Sequence, residues 1–344
     1  MLLNNKLLVT LWGACGVIDR VCRQAGKINT RALVEAGKLS ALTLILAFLS
    51  LVLPVFSFIT IPLCAVPTII IYVRHGFKYG ILTAITAGFI IAIFMGPSSA
   101  IFMFLIILML GVSQGAAIRK DFSVFGVIFV GLLGVALAMV LMALLTYYIS
   151  GINVFSEQLK IFKESISMQD KLYLKYGLSK EEIASQKHFL STIAESLAQV
   201  FPAVIVVLSG WISAFCCLIS SKVLKRLGLK QPKVISLKKL QVPWFFSWGY
   251  LVGLAASFFH RSLGAYSEIV LTMGINLLLV FGMIFLIQGF AIALYFLDKH
   301  KLSFGVKTVI LLLTVFIQIT FQGLTWLGLF DTWFNYRKIP QEGY

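Results

Sequence analysis

Apolar residues fill this chain in long runs. Uncharged stretches cover 39–73, 79–118, 122–156, 196–221, 240–259, 269–297 and 308–330. A helix needs about 20 apolar residues to cross a hydrocarbon core, so each stretch is long enough to cross and some hold two crossings. Pro54, Pro62 and Pro67 interrupt the first stretch. Proline removes a helical donor, so the pattern predicts a helix over 36–55 and a short one over 60–73. Gly96-Pro97-Ser98-Ser99 is a turn signal that divides the second stretch into 77–95 and 98–118. The remaining spans are expected at 122–149, 198–222, 243–259, 266–297 and 303–328. The expected fold is an all-α polytopic membrane protein of about nine transmembrane helices with a cytoplasmic N-terminus.

Composition agrees with the pattern. Of the 344 residues, 60% are hydrophobic and 12% charged. The mean hydropathy is +0.97. A soluble domain has about 45–50% apolar and about 25% charged residues, and could not hide this much apolar surface from water.

The net charge of +16 taken alone would suggest nucleic acid, but its distribution excludes that partner. The basic residues lie in short segments between apolar runs, the pattern that orients membrane proteins. With nine spans and the N-terminus inside, 20 of the 29 basic residues lie on the cytoplasmic face. That face then carries the whole +16, and the outside is neutral. The five cysteines (Cys15, Cys22, Cys64, Cys216 and Cys217) avoid the segments placed outside, so no disulfide framework is implied. The expected location is the bacterial cytoplasmic membrane.

The pattern divides the chain into a leader at 1–35, a six-span membrane domain at 36–222, a basic cytoplasmic loop at 223–242, a three-span membrane domain at 243–330 and a short polar tail at 331–344. Within the first membrane domain, the outside segment 150–197 breaks the apolar pattern. Leu159, Phe162, Ile166 and Leu172 recur at roughly helical spacing, and Ser179-Lys180-Glu181-Glu182 reads as a capping box. An interfacial helical hairpin and a lid over an outward cavity both fit this segment.

Small residues stripe three spans. Gly80, Ala84, Gly88, Ala92 and Gly96 fall on one face, Gly111 and Gly115 form a GxxxG, and Ala32, Ala36 and Ser40 repeat at the start of the first span. All three stripes suit helix packing within the chain. The third also suits a partner that docks at the cytoplasmic boundary. The polar residues expected in lipid are Gln114, Asn276, Gln288, Gln318 and Gln322, candidates for substrate contact or for interhelical hydrogen bonding. No expected span carries a charge near its centre, which argues against ion pumping. Aromatic groups at Trp244–Tyr250 and Trp326–Tyr336 fit interface belts.

Enzymatic constellations are missing from the sequence. There is no Walker A loop, no GxSxG elbow and no HExxH, and His75, His188, His260 and His300 fall in loops or at span ends. The expectation is a non-enzyme with no catalytic residues, no metal site and no cofactor.

Three segments carry a family resemblance: Thr30-Arg31-Ala32-Leu33-Val34-Glu35-Ala36-Gly37, Tyr72-Val73-Arg74-His75-Gly76, and Gly328-Leu329-Phe330-Asp331-Thr332-Trp333-Phe334-Asn335-Tyr336-Arg337-Lys338. They resemble the bacterial YybS-like membrane family, a domain of unknown function, over roughly 30–338. At a greater distance, the first six spans look like the substrate-binding S components of energy-coupling factor transporters. That likeness implies a bound small molecule, and a coupling subunit docked on Ala32, Ala36 and Ser40. The three further spans after residue 240 depart from it. The rod-shape protein MreD looks related at the same distance and implies a scaffold with an envelope partner. Two functions therefore stand side by side: a transporter-like small-molecule binding or uptake component, and a non-transporting scaffold or cell-envelope assembly factor.

Overall fold

The structure is a computed structural model. It describes residues 29–151, 153–154, 156–157, 160–161, 180–233, 237–299 and 304–339. The greater part of the expected leader lies outside the described residues, as do Leu159, Phe162, Ile166, Leu172 and Ser179 of the 150–197 pattern.

The described residues are helical almost throughout, and seven apolar helical stretches among them are long enough to cross a membrane. Helix α1 spans Thr30–Val52. Asn29 starts it, its side-chain oxygen accepting from the Arg31 and Ala32 amides. Helices α2 (Ser57–Cys64) and α3 (Val66–His75) meet at Ala65, which keeps helical dihedrals. Together they make the single apolar stretch Ser57–His75, so the prolines do not stop the chain there. Pro67 sits in the first turn of α3, where its missing donor is not needed.

Helix α4 occupies Phe77–Met95, as the pattern expects, and α5 follows at Pro97–Arg119. Gly76 and Gly96 flank α4 with φ of 98° and 85°, a region glycine enters freely. Helix α6 spans Val124–Ser150, and Gly151 ends it in the left-handed region. Helix α7 spans Lys180–Arg226 with Pro202 inside it. Helices α8 (Phe246–Phe259) and α9 (Ser267–Lys299) are joined by a 3₁₀ stretch kinked at Gly264.

The helices pack around two centres. Helix α5 touches α3, α4 and α6, and α7 closes this group against α6. Here the small-residue stripes act as expected. Tyr72 packs against both Gly80 and Gly115, Phe104 against Gly88, and Thr68 against Gly111. Helix α9 is the second centre, contacted by α8 and also by α7, which links the two groups.

The chain after α9 differs from the expected ninth span at 303–328. Helix α10 covers Phe304–Phe321 and α11 covers Gly323–Phe334, with Gln322 between them at φ 51°. The Lys307 ammonium, near the start of α10, pairs with Asp298 at 3.0 Å, and Asp298 also pairs with Lys238. The Arg337 guanidinium, just past α11, donates to the carbonyls of Lys238 and Leu240 at 2.8 and 2.6 Å. Both ends of the α10–α11 pair therefore return to the basic loop. Its tip lies beside Gly282 and Gly289 in the middle of α9. The two helices fold back as a hairpin whose ends both lie by the basic loop. Within the segment expected as a polar tail, residues 331–334 are helical, and Asp331 and Arg337 are buried.

Candidate functional site

The hairpin gathers most of the polar groups within the membrane-spanning part of the C-terminal half. Helix α11 can lie against α9 because both present glycine at the crossing. A Cβ on Gly289 would collide with the Leu324 carbonyl, and one on Gly328 with the Phe285 carbonyl. Backbone contact at this range places Asp331 against Gln288, whose amide donates to Asp331 Oδ2 at 3.1 Å. The Arg337 guanidinium reaches the same oxygen through Nη2 at 2.8 Å and Nε at 3.2 Å. The side chains of this pair are 0% and 1% exposed. Burial is tolerable because each charge neutralises the other and most of their polar atoms are hydrogen-bonded. Asp331 Oδ1 is the exception: it is buried without a hydrogen-bond partner among the described residues. Gln288 Oε1 accepts from the Val242 amide at 3.1 Å, which fixes the basic loop to the same node.

Three of the five expected polar residues meet on α11. Besides Gln288 there is Gln318, whose Oε1 accepts from the Leu324 and Thr325 amides at 3.0 and 3.2 Å while its Nε2 donates to Thr325 Oγ1 at 3.1 Å. It therefore caps the first turn of α11, where helical amides have no partner of their own. Gln322 is the residue at the break and is exposed.

The other two lie elsewhere. Gln114 donates from α5 to the carbonyl and hydroxyl of Ser213 on α7, at 2.8 and 2.9 Å. Ser213 in turn donates to the Ile128 carbonyl on α6 at 2.6 Å. Asn276 sits beside the proline of α7. It accepts from the Ala203 amide at 2.8 Å and donates to the Gln199 carbonyl at 2.7 Å. Pro202 opens the helical ladder at that point, and the Asn276 side chain fills the gap.

The three expected docking residues are buried, Ala32 at 0%, Ala36 at 2% and Ser40 at 1%. Ser40 donates to the Thr83 carbonyl of α4 at 3.2 Å, so this face of α1 is covered by the chain itself. Just beside it, Glu35 pairs with Arg74 and lies 2.6 Å from His75 Nε2. The Asn29 amide donates to the Tyr79 hydroxyl at 2.9 Å. This cluster joins the start of α1 to the α3–α4 turn.

Residue-level reading passed over Asp331, Arg337, Glu35 and His75 as groups with a role. The signal was present, because all four lie inside the three segments that carry the family resemblance. The structure joins the first two segments through Glu35, Arg74 and His75, and makes the third the return leg of the hairpin.

Comparison with known proteins agrees with the YybS-like resemblance. The model of the family described as "Predicted membrane protein (DUF2232)" matches residues 41–332. The "Uncharacterized protein YybS" of Bacillus subtilis (strain 168) is 22% identical over 310 residues, covering 90% of this chain and 98% of that protein. No solved structure matches. A family model that covers most of the chain, together with a relative similar along nearly its whole length, means that this chain belongs to the DUF2232 family of membrane proteins.

Proposed function

We propose that this protein is a transporter-like component of the bacterial cytoplasmic membrane that binds a small molecule beside the α10–α11 hairpin. One observation carries the reading: a helix break with an exposed Gln322 sits beside the middle of α9. The end of a helix leaves its last carbonyls without helical partners. In lipid such groups cost several kcal/mol each, so non-helical backbone at this depth sits against protein or a water-filled cavity. Broken helices near the midplane are a recurring way to build a substrate site. Gln318 already satisfies two amides of α11, so the groups left for a ligand are carbonyls and the Gln322 side chain.

The test is thiol labelling of Gln322→Cys in native membranes, with Cys15 and Cys22 changed to serine. Cys64, Cys216 and Cys217 are buried and give little background. A hydrated tip reacts with a membrane-impermeant reagent, and a ligand that occupies the site protects it. A tip that reacts only with lipid-soluble reagents sinks the proposal.

The second reading, a membrane scaffold or envelope assembly factor, has its own support. Gln114, Asn276, Gln288 and Gln318 all make hydrogen bonds within the chain, as a packing role requires. Affinity purification in mild detergent distinguishes the two. A stoichiometric envelope partner with an unreactive tip favours the scaffold; a retained metabolite favours binding and transport. A coupling subunit that used Ala32, Ala36 and Ser40 would first have to part α1 from α4.

A further inference from the structure

We propose that the basic face of the N-terminal helix group holds the headgroup of an anionic phospholipid, at the point where α3, α5 and α7 end together. The three ends are tied to one another. Val73, Ile118 and Leu224 share one buried cluster, and the Lys230 ammonium donates to the Arg119 carbonyl at 2.7 Å. Arg119 leans into the notch left by Gly76, its Nη1 only 2.7 Å from where a Cβ would stand.

Acidic groups nearby are already engaged: Glu35 with Arg74 and His75, and Asp121 with Lys230. Lys78, Arg119, Lys120, Lys225 and Arg226 are exposed and have no ion pair among the described residues. Three helix C-termini offset about half a charge each, which leaves most of these five charges uncompensated. The chemistry required is therefore an anion with more than one oxygen acceptor.

Apolar neighbours identify which anion. Phe77, Phe122 and Leu227 stand beside these cations in sequence and are 54%, 41% and 50% exposed. A free phosphate or a nucleic acid gains nothing from exposed phenyl and isobutyl groups. A phospholipid meets both, with its phosphate on the cations and its upper acyl carbons on the apolar side chains.

The full-length protein, purified in a non-ionic detergent, is titrated with phosphatidylglycerol or phosphatidylcholine and read by native mass spectrometry. Preferential retention of phosphatidylglycerol is expected. Arg119→Gln, Lys225→Gln and Arg226→Gln together should reduce it by about five-fold per cation removed. Two cations removed elsewhere, by Arg261→Gln and Lys299→Gln, should leave it unchanged. Equal retention of the two lipids by the natural chain overturns the proposal, as does an equal loss in the remote control. Full displacement by inorganic phosphate also overturns it, because the site would then be one for a free anion. Should the triple variant not fold, the single Lys225→Gln and the lipid preference of the natural chain separate the same outcomes.

Discussion

Asp331 and Arg337 lie six residues apart, at the end of α11 and just beyond it, and are the most deeply buried ion pair among the described residues. Such a pair is asymmetric in its energetics. Removing one partner leaves a bare buried charge and costs about 3–5 kcal/mol, whereas replacing both with apolar groups costs far less. Asp331→Ala or Arg337→Met alone should therefore lower the melting temperature in detergent sharply. The double change Asp331→Leu with Arg337→Met should recover most of the loss. The glycines give a second contrast. Gly289→Ala and Gly328→Ala place a methyl group onto a backbone carbonyl, which cannot swing away as a side chain can. Each should destabilise by about 1–3 kcal/mol or more. Gly37→Ala meets nothing within 4 Å and removes a flexible residue from a helix. It should be neutral or stabilise by about 0.5–1 kcal/mol. Thermal unfolding of the three variants side by side tests this order. Sequence spacing identified small-residue stripes on α4 and α5 as packing faces, but passed over Gly289 and Gly328, whose nearest contacts are with each other's helices.

At the scale of elements, helix α4 was legible because glycine marks both of its ends. The α2–α3 stretch was legible only in part. Proline breaks a helix by removing a donor and crowding a carbonyl, and Pro67 does neither in the first turn of α3. The hairpin was not legible at all. Residues 308–330 are uncharged and long enough to cross, and glutamine at 322 is no helix breaker. Charge could not reveal the fold-back either. The tail carries Asp331, Arg337, Lys338 and Glu342, which cancel, so moving it to the other face leaves the net asymmetry unchanged. The two topologies differ in a measurable way. A reporter fused after residue 339 should report the same side as one inserted near Lys230, and the opposite side from one at Arg261. Nine complete spans would place the C-terminal reporter with Arg261.

Two helix groups make up the described molecule, and α7 with the loop that follows it holds them together. The contribution of each tie depends on its exposure. Lys238 and Asp298 are both more than two-fifths exposed, so Lys238→Gln should barely move the melting temperature, and less still in high salt. Asn276→Leu removes both partners of an opened helix ladder at Pro202. It should cost about 1–3 kcal/mol and loosen α7 from α9, visible as faster amide exchange around Ala203. The sequence by itself determined the class of this protein and the uneven distribution of its charge along the chain. Both are sums over many residues, and lipid imposes them on any chain this apolar. Only the tertiary structure decided where each polar group finds its partner. Gln114 and Ser213 are 99 residues apart, and Gln288 and Asp331 are 43 apart. Such pairings depend on which helix faces meet, and close backbone approach at a few glycines sets those meetings. The same contacts fold the last apolar run back on itself as a hairpin.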